Sequence, residues 1–462
     1  MGIRRLTPLL LLAVLAGAAP AGEVVTCDRA DGYRGIWFTL GQFQADYGDK
    51  YSGGLGTYTA KHVPLAVYAP EAEKTFFVYG GTTAPDERHL LAMVSYYDHR
   101  RGIVPRPVIV HDKGGVNDPH DNPSLAIDEA GHLWVFVSGR GNRRPGFIYR
   151  SAGPHAIDRF ERVREEARMA YPQPWWIAGR GFLFCFTKYT KGRELYVRTS
   201  PDGRAWGDTH KLAGFGGHYQ VTCREGVRLA TAFNWHPKGN VDRRTNLYYL
   251  ETSDVGRTWR TAAGEAVRLP LDAVENPARV RDFHREGRNV YLKDIRFDSR
   301  GRPVILAVTS GGHKPGPEAG PRRWTVAHWT GEAWACHDVT TSDHNYDMGS
   351  LYVEPGGTWR LIAPTETGPQ PYNTGGEVAM WTSTDQGATW RKVRQLTRAS
   401  QFNHTYVRRP VDAHPDVYAL WADGHGREMS PSRLYVTNRA GDHVWRLPTR
   451  MTGEVAEPEV VW

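Results

Sequence analysis

Short apolar runs, four to eight residues long and often alternating with polar ones, recur from His62 to the end of the chain. Examples are Phe76-Phe77-Val78-Tyr79, Met93-Val94-Ser95-Tyr96, Ser124-Leu125-Ala126-Ile127 and Leu133-Trp134-Val135-Phe136-Val137. Gly, Pro, Asn and Asp break the runs, so the pattern predicts strands joined by tight turns and no long helix. Asp128-x-x-Gly131 and Asp298-x-x-Gly301 mark hairpins, each followed by an alternating apolar strand. Seven comparable stretches begin near His62, Asn122, Gln173, Tyr219, Lys293, Gly349 and His404, spaced 46 to 74 residues apart. That period suits four-stranded blades with loop insertions. The expected fold is all-β, a seven-bladed β-propeller.

Three segments carry a second repeat: Ser200-Pro-Asp202-Gly203-Arg-Ala-Trp206, Thr252-Ser-Asp254-Val-Gly256-Arg-Thr258-Trp259 and Ser383-Thr-Asp385-Gln-Gly387-Ala-Thr389-Trp390. In each, the Asp carboxylate is placed to accept backbone N–H groups in a turn, Gly takes φ > 0, and Trp packs against the sheet. These Asp-boxes are expected to be structural turns with no catalytic role.

Composition agrees with this reading. The 462 residues include 50 Gly, 30 Pro, 16 Trp and 22 Tyr, which disfavours helix interiors and rules out a disordered or collagen-like chain. Met1–Ala21 has basic Arg4 and Arg5, then an apolar run from Leu9 to Leu15, then Ala19-Pro20-Ala21. This reads as a signal peptide cut before Gly22, too short in its apolar part to be a membrane anchor. Residues 22–462 are expected to form one domain, secreted or periplasmic and monomeric. Loss of Arg4 and Arg5 lowers the formal charge of +8 by two, a modest excess that suits an acidic glycan. No basic helix or Lys/Arg block points to nucleic acid, and no later segment points to a membrane. Cys27, Cys185, Cys223 and Cys336 are too widely spaced for a zinc ribbon; one or two disulfides and buried free thiols are both open.

Polar residues cluster where blades begin. Tyr97-Asp98-His99 ends one strand and Asp118-Pro-His120-Asp-Asn122-Pro-Ser124 precedes another, so His99 and His120 are expected over one mouth. Tyr171-Pro-Gln173, Lys188, His218-Tyr219, Phe233-Asn-Trp-His236, Arg243 and Asn403-His404 add to the ring of polar entries. Paired His with Tyr and a cation suits abstraction of a proton next to a carboxylate. The C5 proton of a uronic acid leaves only when the carboxylate charge is neutralised; a neutral His or tyrosinate takes it, and another group protonates O4. Glycoside hydrolysis would call for two positioned carboxylates, an option that Asp98, Asp118, Asp121, Asp343 and Asp347 keep open.

Tyr51-Ser-Gly-Gly-Leu-Gly-Thr-Tyr58, Tyr97-Asp-His99, His120-Asp-Asn-Pro-Ser124, Tyr171-Pro-Gln173 and the Asp-boxes resemble those of the propeller polysaccharide lyases: ulvan lyases of families 24 and 25 and the rhamnose–glucuronate lyases. The resemblance implies β-elimination on a rhamnose–uronate polysaccharide. It makes His99 and His120 the acid/base pair, with Tyr171 a further candidate. Lys188 stands where those lyases have a carboxylate-neutralising arginine, with Arg198 or Arg243 as substitutes. Asn122, Gln173, His218, Tyr219, Arg243 and His404 are expected to bind substrate. No cofactor is required for the chemistry. A structural Zn or Ca is open, with His218, Cys223 and His236 as ligands. The chain is also similar to propeller α-L-rhamnosidases, in which a single His on the opposite face of the ring is implicated; Lys61-His62 is the possible counterpart. A glycan-binding propeller without catalysis is the third reading.

Overall fold

The computed structural model describes residues 23–40, 47, 50–53, 61–116 and 118–462. Met1–Ala21 and most of the Tyr51–Tyr58 segment therefore lie outside the described residues. Among the described residues, strands account for nearly all the regular structure, with four short 3-10 turns. They form seven antiparallel blades: residues 66–112, 123–166, 170–213, 220–267, 289–342, 350–395 and 403–446. The innermost strands begin at Ala66, Pro123, Ala170, Gln220, Asn289, Ser350 and Asn403, within a few residues of the positions predicted from the polar and apolar pattern. Among the described residues no helix is long and apolar enough to cross a membrane.

Each blade runs outward as an up-and-down meander, so the direction of each strand fixes which face its ends reach. In blade 1, Gly81 pairs with Leu91 at one end of the hairpin, and Lys74 pairs with Asp98 at the other. First-strand starts, second-strand ends and third-strand starts therefore share one face. Third-strand ends share the opposite face. The three Asp-boxes follow third strands and sit on that far face. There Asp254 Oδ1 accepts the Thr258 N–H at 2.9 Å, and Asp385 Oδ1 accepts the Thr389 N–H at 3.0 Å. Asp202 Oδ1 accepts the Arg204 and Ala205 N–H groups, both at 2.8 Å. Gly203 (φ 75°) has its face on Trp134 of the preceding blade, where a Cβ would fall 2.3 Å from the ring.

The core lies between neighbouring blades, where apolar faces interdigitate. Trp134, Trp259, Trp324, Trp359 and Trp421 are fully buried there. The seam between blade 7 and blade 1 is closed by both ends of the described chain. Gly35 bridges Ser432 of blade 7 and Gly81 of blade 1, flanked by buried Tyr33 and Trp37. Val455–Ala456 pairs with Val104–Pro105. Val24–Thr26 pairs with the outer strand of blade 2. All four cysteines are free.

Candidate active site

The first face gathers a cluster of His, Tyr and Arg from blades 2 to 4. His120 follows from the turn before the Pro123–Ile127 strand, and its side chain is buried. Its Nδ1–H donates to Asp118, which also accepts Arg140 Nε and Arg144 Nη2, both at 3.1 Å. That bond fixes the tautomer and leaves the basic lone pair on Nε2. Burial lowers the His120 pKa to about 4 against the opposing pull of Asp118, so the ring is neutral at ordinary pH. Burial would raise the Asp118 pKa, but the hydrogen bond from His120 and the charge of Arg140 outweigh it and hold the carboxylate ionised.

Tyr171 stands at a bulge where the third blade begins, with a left-handed backbone (φ 53°). Its N–H donates to Ser138 Oγ at 3.1 Å, and the ring centroid lies 6.1 Å from His120 and 5.5 Å from Tyr219. Pro172 follows it and removes a ladder N–H, which is why the sequence can bulge here. Arg140 Nη1 donates to the Tyr171 hydroxyl at 3.4 Å and to the Tyr189 hydroxyl at 3.2 Å. Arg193 lies 5.4 Å over Tyr189 and 6.0 Å over Tyr219. Arg244 is caged by Tyr219, Tyr291 and Tyr346, its Cζ 4.8, 4.7 and 4.9 Å from the three ring centroids, and donates to the Tyr346 hydroxyl at 2.5 Å.

These charges split the acidities of two touching phenols. Burial and the neighbouring Tyr189 and Tyr219 push Tyr171 well above the usual tyrosine range. Burial also raises Tyr219, but Arg193, Arg244, a hydrogen bond from Tyr171 and Arg140 outweigh it and bring Tyr219 down to about 8. One phenol is thus held as an acid and the other is poised to ionise. Tyr171, Tyr219 and Arg244 are buried, whereas Asp118, Arg140, Tyr189 and Arg193 are half-buried and form the open side of the cluster.

Several expected residues stand elsewhere. His99 does not meet His120: it follows the third strand of blade 1, on the far face with the Asp-boxes, and its N–H donates to Glu73 O at 3.0 Å. The eight-residue strand Lys74–Gly81 separates the two ends, a span of roughly 23 Å at about 3.3 Å per residue. The strand Val108–Asp112, between the two motifs, carries the chain back across the blade. The paired-imidazole arrangement is thereby corrected. Lys188 faces away from the cluster, beside Glu194 in the ladder and 5.4 Å over Tyr196. Arg198 is paired with Glu166 at 2.8 Å, and Arg243 is exposed, whereas its neighbour Arg244 is the buried member of the cluster.

The remaining binding candidates divide. Tyr219 belongs to the cluster. Asn122 is buried at the blade start, close enough to Gly80 that a Cβ there would fall 2.0 Å from its Oδ1. Gln173 is a cross-blade tie, donating to Gln220 O at 2.9 Å and accepting from Thr222 Oγ1 at 2.7 Å. His218 donates through Nδ1 to Asn234 O at 2.9 Å and accepts the Phe215 N–H at Nε2, so both nitrogens are used internally. His404 is likewise satisfied, by Trp421 Nε1–H and Ser400 Oγ, both at 3.0 Å. Cys223 lies in the apolar core, so His218, Cys223 and His236 do not form a ligand set. His236 instead packs 4.8 Å from the Tyr219 ring. His62 donates through Nε2 to the His120 carbonyl at 3.0 Å, placing it beneath the cluster and not on the opposite face.

Arg140 and Arg193 were missed by sequence reasoning, and Arg244 was passed over for its neighbour Arg243. The usable signal was phase: they follow a second strand or open a third strand, the positions that share a face with His120 and Tyr171.

Residues 91–342 match the model of the BNR repeat-containing family. The chain belongs to this family. It is 20% identical over 344 residues to an ulvan lyase of Nonlabens ulvanivorans, covering 66% of this chain and 71% of the relative. It is 19% identical over 407 residues to a family 25 ulvan lyase of Pseudoalteromonas sp. (strain PLSV), covering 78% and 81%. A solved polysaccharide lyase of family 25, an ulvan lyase, superposes with a TM-score of 0.70 at 16% identity, covering 89% of this chain and 96% of that one. The polysaccharide lyase Uly1 superposes with a TM-score of 0.62 at 11% identity, covering 90% and 99%. The BNR-family propeller therefore shares its fold with ulvan lyases.

Proposed function

We propose that this BNR-family propeller is a polysaccharide lyase that cleaves a rhamnose–uronate glycan by β-elimination. The observation that carries this is the arrangement of three guanidiniums, Arg140, Arg193 and Arg244, around two phenols of opposed acidity. Arg193 and Arg140, on the open side, neutralise the uronate carboxylate and acidify C5–H. The Tyr219 phenolate removes that proton, the C5–H pair becomes the C4=C5 double bond, and the C4–O4 bond breaks. Tyr171 delivers its proton to the departing O4. His120, neutral and locked by Asp118, positions the sugar through Nε2. Among the described residues, the carboxylate of the cluster, Asp118, is engaged by His120, Arg140 and Arg144, which favours elimination over hydrolysis. The curated relatives named ulvan lyases, and a family 25 structure described as bound to -[GlcA(1-4)Rha3S]-, support a sulfated rhamnose–glucuronate substrate. The resemblance of Met1–Ala21 to a signal peptide supports export, and no cofactor enters the proposed chemistry.

Incubating the protein with ulvan and with unsulfated rhamnose–glucuronate polymers tests this. The expected result is short-wavelength ultraviolet absorbance from the conjugated double bond of an unsaturated uronate, lost in Tyr171→Phe and strongly reduced in His120→Ala. Release of free rhamnose without absorbance would assign the protein to the hydrolases. Binding without new chain ends would leave a glycan-binding propeller.

A further inference from the structure

The residue that the sequence placed in the active site, His99, has a different set of partners on the far face. Its side chain is 4% exposed, and Nε2 is hydrogen-bonded to Thr75 Oγ1 at 2.8 Å. With the proton on Nε2, the Nδ1 lone pair points the other way; Nδ1 is buried and has no hydrogen-bond partner. It faces His414 and Asp416, from the connection between the first two strands of blade 7. The His99 and His414 rings lie 3.9 Å apart, and Tyr68 packs against both, 5.3 and 5.0 Å away. Asp416 Oδ2 lies 3.7 Å from His99 Nδ1 and 3.5 Å from His414 Nδ1, and one donor atom from each of the three residues falls within 4.8 Å of the others.

We infer that His99, His414 and Asp416 form a binding site for a divalent transition-metal ion of the zinc type, which ties blade 7 to blade 1. Two neutral imidazoles and one carboxylate suit zinc and its neighbours, whereas calcium and magnesium require an all-oxygen shell. Metal bonds of about 2.0–2.1 Å in tetrahedral geometry put donors about 3.3–3.4 Å apart. Asp416 Oδ2, at 3.7 and 3.5 Å from the two Nδ1 atoms, is near that spacing, whereas the two rings, with centroids 3.9 Å apart, must open from one another for both imidazoles to point at one ion. Thr75 Oγ1, accepting from Nε2–H, supplies the outer hydrogen bond for a His99 that ligates through Nδ1. His414 Nδ1 also accepts the Asp416 N–H at 3.2 Å, a bond that the ion would replace. Asp416 is exposed, so the fourth position opens to water. The position in the ring gives the site its consequence. Here Tyr68 N–H donates to Val411 O at 3.0 Å and Val411 N–H donates to Ala66 O at 2.8 Å, a strand-like link between the inner strand of blade 1 and the segment that follows the inner strand of blade 7. An ion held by residue 99 on one side and residues 414 and 416 on the other reinforces that link.

The test uses untagged full-length protein stripped with a chelator. Titration with Zn2+ should show one tight equivalent and raise the Tm by about a few degrees at saturating ion, because the ion binds the closed ring alone. Co2+ should give the visible absorption of a tetrahedral site. Asp416→Asn, at an exposed position, and His414→Ala should each weaken Zn2+ binding by at least about tenfold and abolish the Co2+ signal. In chelator, the melting temperature of Asp416→Asn should match that of the stripped parent. His443→Ala, at another surface His–Asp pair, should bind as the parent does. No stoichiometric binding, or unchanged binding in Asp416→Asn, overturns the proposal. Because the site lies on the face away from Tyr171, this outcome is independent of whether the lyase reading holds.

Discussion

The Tyr171 and Tyr219 rings meet edge to face, with centroids 5.5 Å apart and planes at 88°. Neither ring alone would mark an active site, since buried tyrosines are common. Their significance lies in the guanidiniums, which are distributed so that Tyr219 ionises first. If Tyr219 is the base, kcat/KM rises with pH through about 8 and then levels off. Tyr219→Phe should lower kcat by about 10²–10⁴ and remove that rise. A profile with its ascending limb near pH 4 would transfer the base role to His120.

Carboxylate neutralisation by Arg193 and Arg140 is separable from the Lys188 alternative. Arg193→Ala should reduce kcat/KM by about 10²–10³, as expected when a charge partner of a developing enolate is lost. Arg193→Lys should recover only part of this, because the planar fork is lost. Lys188→Ala, beside Tyr196 and away from the cluster, should stay within about twofold of the parent. Steady-state rates on one defined uronate polymer decide the matter, and equal losses in Arg193→Ala and Lys188→Ala would contradict the assignment.

Asp118 acts through His120. Asp118→Asn keeps the shape but lets the imidazole settle with its proton on either nitrogen, and kcat should fall by about 10–10³ with a smaller change in KM. Proton NMR of the imidazole N–H resonances should show the change of tautomer directly.

Buried neutral histidines make the fold sensitive to acid. Burial lowers His62 to about 3, and His120, His218 and His111 to about 4, below the ordinary value of about 6.5. The unfolded chain therefore binds more protons than the folded one below about pH 6.5, so stability declines as pH falls from about 6.5 towards 4. Each such group contributes on the order of 1–3 kcal/mol to that loss. Denaturant midpoints at pH 7.5, 6 and 4.5 should fall in that order. A flat profile would mean that these rings are hydrated.

The Asp-boxes are the internal control. Asp385 ties the Thr389 N–H and hydroxyl on the far face. Asp385→Ala should cost about 1–2 kcal/mol of stability and leave kcat unchanged. Loss of activity in a fully folded Asp385→Ala protein would argue against a structural role for this turn.

The blade count and the inner-strand starts were legible because they depend on local periodicity and turn chemistry. His120, Tyr171 and Tyr219 were legible for the same reason: each sits at the start of an inner strand. His99 was misplaced by one strand. Tyr97-Asp98-His99 ends a third strand, and the short returning strand Val108–Asp112 reverses the face on which the next polar motif emerges. Arg244 was hidden behind Arg243 because two adjacent arginines differ only in which way the chain turns before Thr245–Thr252. His218 and His404 were read as ligand-facing, but a sequence does not reveal that Asn234, Phe215, Ser400 and Trp421 occupy their nitrogens.

The seam at Gly35, between Ser432 and Gly81, has a kinetic consequence. Residues near the start of the described chain wedge between the first blade and the last, so the circle closes only once blade 7 has been synthesised. Until then a nascent chain exposes an apolar blade face at each end of the open ring, able to pack against other polypeptides. Substitutions at that wedge should therefore lower the yield of folded protein more than they lower the melting temperature of the molecules that do close.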